Sequence, residues 1–163
     1  MSGNKEDVSV KIADKSDAES ILILQKEAYV SEAALYGKWD IEPLRQNLKE
    51  FIVEWDEQVV LKAVVGGMLA GSVRGRLRGE TCYVGKLMVK PELQNKGLGK
   101  RLLCELEKKF PRVRRFELFT GEKSLKNLHV YEQMGYCRER TQEIDAALKI
   151  VFLVKHQKIE LEE

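Results

Sequence analysis

Cysteine is scarce in this chain, and the three present, Cys82, Cys104 and Cys137, are widely spaced with no Cys-x-x-Cys pair. An odd, scattered set excludes a disulfide framework and a zinc ribbon, so Cys104 and Cys137 read as core thiols. The histidines, His129 and His156, lack the spacing of a metal site, and no metal is expected. Long apolar runs are missing too: none approaches the roughly 20 residues that cross a bilayer. The start, Met1 to Asp7, has no apolar stretch of the signal-peptide kind. The cytoplasm is therefore the expected location, with no membrane partner. Charge of one sign is not in excess either, since 28 Lys and Arg face 26 Asp and Glu for a net charge of +2. That balance argues against a dedicated nucleic-acid binder, and Arg112, Arg114 and Arg115 read as a solvated edge rather than a nucleic-acid patch. Repeats, linkers and low-complexity tracts are absent. A single domain over residues 1–163 with one core is expected.

What is present is an alternation of short strands and amphipathic helices. Val8 to Ala13 alternates as a strand, Asp14 or Ser16 caps a helix that buries Ile21, Leu24 and Ala28, and the segment Tyr29 to Asp40 is helical in part but breaks at Gly37. Proline is confined to Pro43, Pro91 and Pro111, each at an expected boundary. Pro43 suits the first turn of one helix carrying Leu44, Leu48, Phe51 and Ile52 on a single face. Strands at 59–65 and 69–76 flank a Gly66-Gly67 hairpin turn, and a second hairpin near Gly79 leads into a strand from Cys82 to Val89. The next helix spaces Leu98, Leu102, Leu106 and Phe110 as a core-facing stripe and stops at Pro111. A strand at 116–120, a helix at 125–134 and strands at 136–143 and 149–155 complete the chain.

The segment from Gly85 to Leu103 carries the most chemistry. A strand ending Leu87-Met88-Val89 turns at Pro91 and opens a helix through Gln94-Asn95-Lys96-Gly97-Leu98-Gly99-Lys100. Unpaired amides, the positive end of a helix dipole and Lys96 and Lys100 converge there, which makes a pocket for a phosphate or pyrophosphate. A side chain at Gly97 or Gly99 would hold the anion away from those amides. Spacing excludes two familiar phosphate loops. A Walker loop needs Ser or Thr where Arg101 stands, and a dinucleotide fingerprint needs glycine where Leu102 stands.

The pattern Gln94-x-x-Gly97-x-Gly99 resembles the acyl-CoA loop of the GNAT acetyltransferase superfamily. A second segment, Asn127-x-x-x-Tyr131-x-x-x-Gly135-Tyr136, resembles that family's other signature and places Asn127 and Tyr131 on one helix face. The resemblance implies an α/β (α+β) fold, a mixed, mostly antiparallel central sheet with helices on both faces. It implies acetyl-CoA as cosubstrate, with the pyrophosphate on the amides of Gln94, Asn95, Lys96, Gly97, Leu98, Gly99 and Lys100. By the same resemblance the pantetheine arm pairs with Leu87, Met88 and Val89, and Asn127 helps to hold it. A primary amine would attack the thioester directly, with Tyr131 as the general acid that protonates the departing thiolate. A phenol of pKa about 10 suits a thiol of pKa about 8.5 in that role.

Tyr29, Glu32 and Tyr36, with Trp39, are the candidate acceptor pocket, since this segment covers the cleft in the family. The base is open among Glu27, Glu32, Glu42, Glu80 and Glu117. Lys86 stands where some family members place an acidic residue, and strand alternation favours an outward, solvated lysine. The acceptor is open among polyamine, aminoglycoside, amino acid and protein N-terminus, and the resemblance implies a homodimer. A non-catalytic acyl-CoA-binding module is the alternative function.

Overall fold

The structure is a computed structural model and describes residues 7–159, so the reading of the start as leaderless lies outside the described residues. Strand β1 (Val8–Ile12) is followed by a short 3-10 turn and by helix α1 (Ala18–Tyr36). Asp14 and Asp17 cap the turn reciprocally, side chain to backbone in both directions. Gly37 closes α1 in the left-handed conformation, with its N–H and that of Lys38 returning to Ala34 and Ala33 carbonyls.

The single helix expected after Pro43 is two. Helix α2 (Glu42–Arg45) and helix α3 (Leu48–Glu54) are separated at Gln46 and Asn47. The break has a local cause: Asn47 accepts from the Glu50 amide at 2.9 Å while Glu50 accepts from the Asn47 amide at 3.1 Å, a capping box that starts a new helix. Phe51 is buried as expected, whereas Leu48 turns to solvent.

Strands β2 (Val59–Val65), β3 (Met68–Arg78) and β4 (Thr81–Val89) form a meander, and β5 (Arg115–Gly121), β6 (Cys137–Glu143) and β7 (Lys149–His156) extend it. Helix α4 (Leu98–Lys108) connects β4 to β5, and helix α5 (Leu125–Gln133) connects β5 to β6. The seven strands lie in the order β1-β2-β3-β4-β5-β7-β6, antiparallel throughout except for β4 beside β5. Helices cover both faces. One core joins Ile21 and Leu24 of α1 to Phe51, Trp55, Val60 and Met88. The other joins Leu98, Leu102, Leu103 and Leu106 of α4 and Leu128 and Tyr131 of α5 to Leu61, Val73, Phe116 and Leu118. Truncating one of the fully buried leucines of α4 to alanine should cost about 2–5 kcal/mol.

Two cysteine expectations fail. Cys104 and Cys137 are exposed, one on the outward side of α4 and the other on the edge strand β6, while Cys82 is the buried thiol. Among the described residues, no helix is long and apolar enough to cross a membrane.

Candidate active site

Two irregularities of β4 create the site. Its pairing with β5 covers only Thr81 to Tyr83 against Arg115 to Glu117, so the strands diverge beyond that point. The end of β4, with Leu87, Met88 and Val89, therefore presents one edge to an opening between the strands. Such an edge can pair with an extended ligand as another strand would. Within the same stretch, Gly85 opposes Arg74 and Met88 opposes Ser72, which leaves Lys86 and Leu87 together opposite Val73. This is a β-bulge, and Lys86 takes a φ of 51°, a left-handed backbone that costs a lysine about 1–2 kcal/mol. The bulge corrects the reading of Lys86. Rather than standing out in solvent, its side chain turns toward α2 and pairs with Glu42.

At the far end of β4 the chain passes a 3-10 turn at Pro91–Leu93 and enters the glycine loop. Gln94 Nε2 donates to the Val89 carbonyl at 3.2 Å, fastening the loop to the strand. Asn95 and Gly97 have φ of 63° and 81°, and Gly97 is the cap of α4. The first helical bond is Arg101 N–H to the Gly97 carbonyl, at 3.1 Å. The amides of Asn95, Lys96, Gly97, Leu98, Gly99 and Lys100 donate to no protein acceptor among the described residues. A row of free donors at the N-terminus of α4, beside Lys96 and Lys100, has the chemistry of a pyrophosphate cradle.

Tyr131 projects inward from α5 and is buried, and its hydroxyl makes no hydrogen bond among the described residues. Burial raises its pKa above the ordinary phenol value, and Tyr29 and Glu32 add to the rise, which places both in its electrostatic neighbourhood. Tyr29 is raised in the same direction, chiefly by burial, with Arg74 opposing. The expected partners Tyr29, Glu32, Asn127 and Tyr131 are thus brought together across α1 and α5.

A directed chain of hydrogen bonds holds Glu32. The Lys123 amide donates to Tyr36 Oη at 2.9 Å, Tyr36 Oη lies 2.8 Å from Ser124 Oγ, and Ser124 donates to Glu32 Oε2 at 2.6 Å. Asn127 Nδ2 reaches Glu32 Oε1 at 3.3 Å and Thr120 Oγ1 at 3.2 Å. Tyr36 therefore serves as a brace between α1 and the start of α5, with its phenol against Gly121 of β5. Trp39 is exposed and joins none of this.

The other carboxylates are committed elsewhere. Glu117 is buried, not solvated, and accepts from Arg115 at 2.8 Å and Arg140 at 3.1 Å. Glu80 pairs with Arg114 on the surface, Glu42 is taken by Lys86, and Glu27 is exposed.

Arg74 is the site residue that sequence reasoning missed. It lies 4% exposed in the middle of β3, on the α1 and α3 face, with its guanidinium 3.8 Å above the Phe51 ring. Nη2 donates to Gln25 Oε1 at 2.8 Å and Nη1 to Gln46 Oε1 at 3.4 Å, while Nε has no partner. Burial pulls its pKa down to about 10, with Tyr29, Glu42 and Glu54 opposing, so the group is charged at neutral pH. A signal for it was present: an arginine inside Ala70-Gly71-Ser72-Val73-Arg74-Gly75, a run otherwise apolar or small.

The fold has many known counterparts. The E. coli ribosomal-protein-S18-alanine N-acetyltransferase superposes with a TM-score of 0.78 at 13% identity, covering 96% of this chain and 97% of its own. The PaiA N-acetyltransferase of Thermoplasma acidophilum, solved in complex with coenzyme A, gives 0.74 at 18% identity, with coverage of 93% and 99%. A Bacillus subtilis acetyltransferase in complex with CoA gives 0.72 at 18% identity, with coverage of 93% and 100%. A search of curated proteins finds no significant sequence match. The profile of the acetyltransferase (GNAT) family matches residues 19–136, a span that runs from α1 through the glycine loop to Tyr136, and the chain belongs to that family.

Proposed function

We propose that this protein is an N-acetyltransferase that moves an acetyl group from acetyl-CoA to a primary amine by direct attack in a ternary complex. The observation that carries the reading is the row of free amides from Asn95 to Lys100 that follows the unpaired end of β4, and Tyr131 belongs to the same core as Leu87 and Val89 of that strand. Acetyl-CoA supplies the activated acyl group; its pyrophosphate suits the loop, and its pantetheine arm suits the edge at Leu87, Met88 and Val89. In the transfer a nitrogen–carbon bond forms and the carbon–sulfur bond breaks. The bulge at Lys86 re-aims the backbone of β4 beside the reacting carbonyl, where a fixed N–H stabilises developing negative charge.

Tyr131 is the general acid. Its raised pKa keeps the phenol protonated throughout the neutral range and makes the full proton transfer uphill, so the proton moves only as charge develops on sulfur. Glu32 is the carboxylate that steadies the incoming ammonium and takes its proton. An unassisted amine of pKa about 10.4 would need about 4–5 kcal/mol to deprotonate at neutral pH, and a nearby carboxylate lowers that cost.

Thiol release in the presence of acetyl-CoA and a panel of amines tests the reading. Turnover is expected with at least one amine, and Tyr131→Phe should lower kcat by about 10²–10⁴-fold while leaving CoA affinity intact. Glu32→Gln should lower kcat/KM by a similar factor. One observation favours a second reading, an acyl-CoA-binding module without turnover: Glu32 and Glu42 are already engaged by Ser124, Asn127 and Lys86. CoA binding with no thiol release across the panel would select that reading.

A further inference from the structure

We propose that Arg74 is the docking point for a carboxylate on the acceptor, so that the favoured substrates are amines that also carry an anionic group. The inference rests on the acetyl-transfer reading and names the substrate class of that site.

Arg74 is a buried cation without a counter-ion. Its hydrogen-bond partners, Gln25 and Gln46, are neutral amides, each nearly inaccessible to solvent. Gln25 is itself held by the Pro43 carbonyl at 2.9 Å and by Gln46 at 3.0 Å, so the cradle is built and satisfied around the guanidinium. Among the described residues no carboxylate lies within ion-pair distance of Arg74. Glu54 reaches it only through Gln46, at 3.3 Å, and Glu42 is spent on Lys86. A charge that only supports packing is normally paired, because an uncompensated buried ion opposes folding. Here Nε is buried without a partner among the described residues, and an unmet guanidinium donor is chemically suited to a carboxylate.

Position supports the same assignment. Gly85 stands opposite Arg74 on β4, and a side-chain carbon added there would meet nothing within 4 Å. Cross-strand partners share a sheet face, so open space adjoins the arginine at the bulge of β4. Tyr29 is within electrostatic reach of both Arg74 and Tyr131. The α1 side of the sheet therefore carries a carboxylate, Glu32, held by Ser124 and Asn127, and a cation, Arg74, over Phe51 of α3. That polarity complements an acceptor with an amine at one end and a carboxylate at the other.

Matched pairs test this on the wild-type protein: free amino acids and dipeptides against their C-terminal amides and decarboxylated amines, with CoA release as the readout. The acids should be preferred by about 10–100-fold in kcat/KM, the range expected when a buried charge loses its partner. In Arg74→Gln, checked for folding by circular dichroism and for CoA affinity, the ratio of acid to amide should collapse toward unity. Arg74→Lys should restore part of it. Equal rates for acids and amides in the wild type overturn the inference while leaving acetyl transfer standing, whether or not the variants fold. Turnover confined to amines without an anionic group does the same. No turnover with any member of the panel removes both this inference and the transfer reading beneath it.

Discussion

The two glycines of the loop do different work, and substitution separates them. Gly97 has a φ of 81°, so alanine there strains the backbone and should lower stability by about 1–2 kcal/mol as well as weakening CoA binding. Gly99 sits on ordinary helical backbone, and an added carbon would meet Leu87 and Val89 side chains at 3.9 Å, an unstrained contact. Neither backbone nor packing demands glycine at that position, and under the proposed function the approach of CoA to the amides does. Gly99→Ala should therefore fold with an unchanged urea midpoint yet bind CoA about tenfold more weakly, a loss of about 1.4 kcal/mol measurable by calorimetry. A shifted midpoint with normal binding would instead assign Gly99 to packing. The turn and the Gly97 cap were legible in the sequence because they are local: strand, glycines, lysines and helix lie within one short stretch. Arg74 was not legible as a site residue, since its partners Gln25, Gln46 and Phe51 are supplied by other elements and nothing in its immediate sequence names them. The same holds for Glu117, whose burial comes from Arg115 beside it and Arg140 across the sheet.

Among the elements, type was largely legible because hydrophobic periodicity reports it: Leu98, Leu102 and Leu106 form the expected buried stripe of α4, although the helix ends at Lys108, before Phe110, and β1 leaves Ile12 exposed. The break between α2 and α3 depends on one reciprocal cap at Asn47, a signal easily outweighed by the apolar stripe running past it. The bulge at Lys86 leaves no mark on alternation, because it is set by how β3 and β4 pair rather than by either strand alone. Helix α1 bears on the site through its last turn, where the Tyr36 phenol lies against Gly121 and donates into the chain ending at Glu32. A side-chain carbon at Gly121 would land on that phenol. Gly121→Ala should destabilise the protein by about 1–3 kcal/mol through overpacking and displace Tyr36 from Ser124. Substituting Tyr36→Leu in the same chain should recover part of the stability without recovering the orientation of Glu32. The double variant would then denature at a midpoint between the single variant and the wild type yet retain the low kcat/KM of the single one. Full recovery of activity with stability would show that the brace has no part in placing the carboxylate.

At the scale of the whole molecule, the two cores enclose groups that resist ionisation, and this sets the alkaline limit of the fold. Cys82 is inaccessible to solvent on β4, and burial pushes its thiol from 9.0 up to about 12, with a hydrogen bond from the Arg76 backbone opposing. The unfolded chain ionises this thiol near its ordinary value, whereas the folded chain keeps it neutral. Between pH 9 and about 12 the unfolded state therefore binds fewer protons, and stability falls as pH rises. The contribution is fully present below pH 9 and is lost as pH rises through about 12. Half-buried Tyr29 and buried Tyr131 and Tyr136, all shifted upward from 10.0, add the same sign as pH rises through 10. Arg74, drawn down to about 10, begins to act in the opposite sense only there. Across the interval from pH 9 to 10 the tyrosines of the unfolded chain also begin to ionise, so the thiol is isolated by comparing the wild type with a variant that lacks it. Urea midpoints should be level up to pH 9 and decline across that interval. Cys82→Ala should start about 1–2 kcal/mol less stable from the lost packing but decline less steeply across the same interval. Parallel slopes for the two proteins would show that the thiol ionises alike in both states, and that the core around β4 admits more water than its burial indicates.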